Sequence, residues 1–183
     1  MSFFKPMRSV WYDVPGGETI LINDITVFAD FPSVWKKNAQ LQLPYIIKDG
    51  ELPHMLSNRL YGSVDYWWTI LKVNGIYDFN NQWPRSSEQL NIYIQNKYPG
   101  KTFNDVHHYV NPNGLVADLI SLRLYLNLTS DSQVINQAGL EAISIGDFET
   151  ALNDDKRNIV LIDPDYIGSV QSEYEKSLEA TGL

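Results

Sequence analysis

Apolar residues recur at helical spacing in several stretches of the chain and alternate strictly in one. Leu52, Met55, Leu56 and Leu60 fall at i, i+3, i+4 and i+8, a single stripe that predicts a helix with Pro53 in its first turn and Gly62 at its left-handed end. Ser63 then caps a predicted second helix carrying Val64, Trp67, Trp68 and Leu71 on one face, which stops at Asn74 and Gly75. Ser87 caps a third helix presenting Leu90, Tyr93 and Ile94 and ending before Pro99 and Gly100. Asp147 caps a short helix over residues 148–152, and Asp163 with Pro164 opens a last one carrying Ile167, Val170, Tyr174 and Leu178.

Extended segments are expected between these helices. Residues 19–22 follow the turn signal Pro15, Gly16 and Gly17 and predict a strand or an extended arm, while residues 27–35 are aromatic but irregular. Residues 44–48 read as a strand with Tyr45 and Ile47 on one face, ended by the Asp49-Gly50 turn dipeptide. Residues 76–79 read as a second strand, so 44–79 is expected to form a β-α-α-β unit. Residues 106–110 and 115–119 flank a hairpin-like turn at Asn111, Pro112, Asn113 and Gly114. Ile120, Leu122, Leu124, Leu126 and Leu128 alternate with Ser121, Arg123, Tyr125 and Asn127, the strongest strand pattern in the chain. Residues 159–162 predict a final strand. The expected class is α+β: a central β-α-α-β unit, an extended N-terminal arm, a hairpin and strand region and a C-terminal helix. The expected divisions are 1–43, 44–100 and 101–183.

Composition sharpens this picture. Of 23 aromatic residues only Tyr125, Phe148, Tyr166 and Tyr174 lie beyond Tyr109, which places the expected core in the first two thirds of the 183 residues. Charge is skewed the other way. The stretch 147–183 has a net charge of −6 out of −8 for the whole chain, so the C-terminal end is expected to be a solvated acidic element and nucleic acid is not an expected partner. There are no cysteines, which excludes disulfides and thiolate chemistry. No stretch approaches the ~20 apolar residues of a membrane span, and no signal-type apolar run follows the N-terminus, so no membrane partner is expected.

Candidate chemistry is sparse. His107 and His108, with Asp105 and Asp118 nearby, are the one cluster of metal-type ligands, but neighbouring strand residues point to opposite faces and zinc needs three or four convergent ligands. His54 has no visible partner. The pairs Asp154 with Asp155 and Glu173 with Glu175 read as a solvated face. No phosphate-binding loop, nucleophile elbow or metalloprotease motif is present, so no catalytic residue, metal or cofactor is expected, and no enzyme. Trp67 and Trp68 point about 100° apart on a helix, so one faces the core and the other its rim or an interface. Tyr77, Phe79 and Trp83 form an aromatic cluster, for packing beneath the loop or for stacking on a ligand.

The segment YIIKDGELPHMLSNRLYGSVDYWWTILKVNGIYDF, residues 45–79, resembles the LysM module in its short strand, acidic-Gly turn, helix ending in Tyr-Gly, Trp-bearing helix and Asn before the second strand. A longer resemblance spans about residues 3–115. Phe3, Phe4 and Pro6, then Trp11, Tyr12 and Asp13, then Asn23, Asp24 and Ile25, then the LysM-like block, then Tyr77, Asp78, Trp83 and Pro84 resemble the baseplate wedge subunits of contractile-tailed phages, the family numbered fifty-three in the T-even system. The resemblance implies a non-enzymatic virion component of the tail baseplate, made in the host cytoplasm, that joins adjacent wedges around the hub and has other wedge proteins as partners. Two surfaces are the expected interface. One is the arm with Phe3, Phe4, Trp11 and Tyr12, too many aromatics for one short segment to bury. The other is the groove bounded by Asp49, Glu51, Leu52, Asn74, Ile76 and Tyr77, where an apolar rim and two carboxylates suit protein better than glycan. The alternative is a LysM-type peptidoglycan-binding module.

Overall fold

Pro15, Gly16 and Gly17 turn the chain between two antiparallel strands, β1 (Ser9–Val14) and β2 (Glu18–Asn23), in the computed structural model of the protein, which describes residues 7, 9–24, 35 and 39–181. The Gly17 N–H closes the turn on the Val14 carbonyl at 3.1 Å. The run at 19–22 is therefore one half of a hairpin, and Trp11 and Tyr12 stand on the other half opposite Leu21 and Ile20.

Beyond the hairpin come β3 (Gln42–Ile46), α1 (Pro53–Tyr61), α2 (Trp67–Val73), α3 (Phe79–Gln82) and α4 (Ser87–Lys97). These are followed by β4 (Val106–Val110), α5 (Leu119–Tyr125), α6 (Asp131–Ala138), β5 (Glu141–Ser144) and α7 (Ile145–Asp155), and finally β6 (Asn158–Ile162) and α8 (Ile167–Thr181). The fold is α+β. The chain divides into two compact units, Met1–Trp83 with Arg157–Leu183 and, separately, Pro84–Lys156.

In the first unit β3 pairs antiparallel with β6, Pro44 opposite Val160. The two helices follow β3 as expected, but residues 76–79 are not a strand, so no β-α-α-β unit closes within 44–79, and the partner of β3 comes from residues 158–162 far along the chain. Residues 76–79 have other backbone partners: the Ile76 N–H donates to the Leu71 carbonyl at 2.9 Å, and the N–H groups of Tyr77 and Asp78 both donate to Gln82 Oε1 at 2.8 Å. Asp78 caps α3 instead of extending a strand. The two helices break where their caps require. Gly62 ends α1 at φ 70°, a left-handed conformation costly for any residue with a Cβ, and the Ser63 side chain accepts from the Asp65 N–H in the tight turn Val64–Tyr66.

Strand β6 is covered on both faces. Ile159 and Leu161 meet Ile47, Leu56, Ile70 and Trp83; Ile162 on the other face joins Trp68, Val73, Val170, Tyr174 and Leu178, together with Met7 and Trp35. The core is thus not confined to the first two thirds, because β6 and α8 supply much of it. The acids of the C-terminal stretch leave an apolar stripe of α8 buried, and burial pushes the Tyr174 phenol up to about 12. Helix α2 contributes to both clusters, Ile70 to one and Trp68 and Val73 to the other. This corrects the expected stripe, since Trp67 and Leu71 are only half-buried. A helix enclosed on several sides reads as apolar all round, and the tight turn before it shifts its phase.

The second unit packs α4 on α7 through Leu90, Ile94 and Ile145. The cap of α4 is Ser86, one residue earlier than expected, in a reciprocal capping box with Gln89. The cap of α7 is Ser144, whose hydroxyl accepts from the Asp147 N–H, so Asp147 lies inside the first turn. One strand expectation holds only briefly here and another fails. The turn at 111–114 closes, with the Ala117 N–H donating to the Tyr109 carbonyl at 2.8 Å, but the pairing stops at one bridge, Val110 to Val116, and the main partner of β4 is β5. The alternating run 120–128 is largely helix α5. Asp118 accepts from the Ile120 N–H at 3.0 Å and from the Ser121 hydroxyl at 2.6 Å, which fixes the first helical turn. A period of two on a helix distributes apolar side chains around it, and Ile120, Leu124 and Tyr125 are exposed.

Both ends of the interruption in the first unit are tied to one loop. Trp83 Nε1 donates to the Glu51 carbonyl at 2.9 Å, the Ile47 N–H to the Arg157 carbonyl at 2.9 Å and Arg157 Nη2 to Asp49 Oδ1 at 3.1 Å. Excising 84–156 and joining Trp83 to Arg157 by a short Gly-Ser linker should leave the first unit folded, with a single cooperative transition by circular dichroism. Loss of that transition would mean that the unit depends on the inserted residues.

Candidate interaction surface

The loop before α1 is rigid because its acidic side chains are committed locally. Glu51 accepts from the Tyr45 hydroxyl at 2.8 Å and the Lys48 N–H at 3.2 Å and pairs with Arg59 at 2.7 Å, while Arg59 also donates to the Tyr45 oxygen. Burial and the hydrogen bond to Glu51 raise the Tyr45 phenol above its ordinary value. Asp49 pairs with Arg157, the residue just before β6. Both carboxylates expected to meet a basic neighbour are therefore already facing guanidinium groups of this chain.

Asn74 has an internal task. Its Nδ2 donates to the carbonyls of Ile70 at 2.8 Å and Val160 at 2.7 Å, and its Oδ1 accepts from the Val160 N–H at 2.8 Å. The amide thus occupies the outer edge of β6 as a third strand would. Since Val160 turns its backbone groups to Asn74, its partner Pro44 turns the other way, and the missing Pro44 N–H costs no ladder bond. Ile76 packs against the core and Leu52 supplies the backbone start of α1, so of the groove residues Tyr77 and Asp49 are the exposed ones.

Beside them lies an apolar cleft of about 480 Å3 that includes Pro53, His54, Trp67, Leu71 and Phe79. It resolves the tandem tryptophans: Trp68 is in the core and Trp67 forms cleft wall. Phe79 stacks on the buried Trp83 with ring centroids 5.8 Å apart, so the aromatic cluster divides between packing and exposure.

The hairpin is the more open surface. Trp11 is 72% exposed and Tyr12 53%, and Ile20, Leu21 and Ile22 across the ladder are exposed as well. Trp11 with Leu21 and Tyr12 with Ile20 form cross-strand pairs on opposite faces, so each face carries apolar surface. Phe3 and Phe4 lie outside the described residues. Ile20 and Leu21 were visible in the sequence as a β-branched and aliphatic run; what it did not reveal is that the run pairs with Trp11 and Tyr12.

Adjacent His107 and His108 correct a different expectation. A register shift between Val106 and His108 breaks the strand alternation, and the two Nδ1 atoms approach to 2.8 Å, with His107 stacked on Phe148 at 4.1 Å. Among the described residues no group of three or more His, Cys, Asp or Glu is placed to hold a metal ion, and no helix is long and apolar enough to cross a membrane.

A family model described as base plate wedge protein 53 matches residues 10–123, from β1 into α5. No curated protein matches the chain.

Proposed function

The chain belongs to the base plate wedge protein 53 family, and from that premise we propose that it joins adjacent wedges of the tail baseplate as a structural subunit during assembly. Membership itself makes it a phage baseplate wedge protein of a structural family, assembled with other baseplate proteins in the virion tail. The observation that carries the joining role is the hairpin. A two-stranded sheet with exposed aromatic and aliphatic side chains on both faces is marginal alone in water and gains stability against a partner. Trp11, Tyr12, Ile20 and Leu21 offer an aromatic anchor with an aliphatic surround, the composition of interface hot spots. The cleft at Trp67 and Phe79 is a second contact for neighbouring protein.

Ile76 packs against the core, so an Asp there would disturb the fold as well as the groove. The hairpin allows a cleaner test. Trp11→Asp with Leu21→Asp should leave the unfolding free energy within about 1 kcal/mol, as exposed sites do, while baseplates assembled with the variant fail to close into rings. Normal ring yield would sink the proposal, and saturable binding of chitooligosaccharide by the purified wild-type chain would then favour a peptidoglycan-binding role.

A further inference from the structure

Helix α5 carries two apolar stripes where its own unit uses one. Leu119, Leu122 and, at the C-terminal cap, Leu126 fall at i, i+3 and i+7, are half-buried, and mark the side packed on α6. Ile120 and Leu124, one turn apart, form the second stripe on the outward side. They are 63% and 75% exposed, and Tyr125 beside them is 83% exposed. Just before the Asp118 cap, Leu115 and Val116 are exposed as well. None of the residues of α5 is fully buried. A helix needs one apolar stripe to hold it in place, and a second one left in water adds nothing to the stability of the unit.

The outward face is large enough for an interface. Burying an aliphatic side chain removes on the order of 100 Å2 of apolar surface and a tyrosine ~150 Å2 or more, so these residues bring several hundred Å2 per copy, most of the ~800 Å2 per partner of a standard interface. Charge selects the occupant. Residues 115–125 contain one acid and one base. Asp118 is turned to the Ile120 N–H and the Ser121 hydroxyl, and Arg123 pairs with Asp131 at 3.4 Å. The face is therefore neutral on a chain of net charge −8, and its rim presents one cation and one anion, which a two-fold-related copy answers in kind. The hairpin is the contrast. Residues 9–24 contain Asp13, Glu18 and Asp24 and no Lys or Arg, so two hairpins brought together repel.

We propose that the outward face of α5, with Leu115 and Val116 before it, is a homotypic docking surface on which a second copy of this chain sits through its own α5, related by a two-fold axis. Ile120 and Leu124 form an i, i+4 ridge, and two such ridges interdigitate at a crossing angle near about −50°. Tyr125 supplies the aromatic anchor, with its hydroxyl left at the wet rim. The surface is separate from the hairpin and does not rest on the wedge-joining role.

Sedimentation of the full-length chain over a range of concentrations tests this directly. The wild type should show a monomer-dimer equilibrium with Kd between about 1 and 100 μM, the range of a weak interface at the low end of the standard size. Leu124→Asp places a charge at the centre of both halves and should weaken association tenfold or more, and Tyr125→Ser, which adds no charge, should weaken it roughly fivefold. Both sites are exposed, so an unchanged melting temperature certifies the fold, and if Leu124→Asp fails that check Tyr125→Ser decides. Leu21→Asp, at an exposed apolar site on the hairpin, is the control and should leave Kd unchanged. A wild type monomeric throughout that range, a dimer untouched by Tyr125→Ser and Leu124→Asp, or equal weakening by Leu21→Asp would overturn the proposal. A monomeric wild type combined with a loss of closed rings in the Leu124→Asp variant would assign the face to a different baseplate protein and exclude the second copy.

Discussion

Trp68→Ala is expected to lower the unfolding free energy by about 3–5 kcal/mol, whereas Trp67→Ala one residue away costs roughly 1 kcal/mol. Trp68 is 4% exposed, and its ring lies 4.5 Å from that of Tyr174, in the cluster that joins α2 to β6 and α8. Truncation removes the transfer free energy of an indole and leaves a cavity between elements that cannot all move inward. Trp67 borders an open cleft that water already reaches, so its loss creates no enclosed void. Against a total stability of ~5–15 kcal/mol the first change should be visible as a large drop in urea midpoint. Tyr174 provides a second readout: its phenol, pushed up to about 12 by burial, should titrate nearer its ordinary value if the Trp68 side of its environment opens. Equal losses from the two substitutions would mean that the core has been assigned to the wrong tryptophan.

The second large effect belongs to Asn74. Asn74→Leu should cost roughly 2–4 kcal/mol, since it leaves the Val160 N–H and carbonyl without their partner and inserts an apolar side chain against that strand edge. Asn74→Asp separates the two halves of the interaction. Its oxygen can still accept from the Val160 N–H, but the second oxygen then faces the carbonyls of Ile70 and Val160 where an N–H₂ stood, so destabilisation should persist and ease as the carboxyl is protonated in acid. Chemical denaturation at neutral and acidic pH reads both variants. A loss below about 0.5 kcal/mol for Asn74→Leu would show that water substitutes for the amide and that β6 is held by packing alone.

Asn74 also marks how much of the candidate site was legible beforehand. Its position after a helix suggested a cap or a contact residue, and nothing local could disclose that its partner is Val160, 86 positions further on. Asp49 and Glu51 looked like free charges because Arg157 and Arg59 could not be placed beside them from spacing alone. Trp11 and Tyr12 were recognisable as surplus aromatics, and their exposure on a hairpin agrees with that reasoning.

What the sequence by itself determined is what depends on a few consecutive residues. Pro53 and Gly62 delimit α1, Asp49 with Gly50 makes a turn, and the spacing of Val170, Tyr174 and Leu178 lays down the buried stripe of α8, because caps, turns and stripes are decided within one or two helical turns. Tertiary structure decided the rest. Residues 76–79 have strand-like composition, yet the place beside β3 goes to β6, whose Ile159 and Leu161 bury against Ile47, Leu56 and Ile70 while Ile162 fills the opposite cluster. The run 120–128 alternates as a strand should, yet Asp118 starts a helix there and the β4 edge is taken by β5. Strand pairing is a competition among distant segments for the same backbone edge and the same core, and its outcome is set by burial that no local window contains.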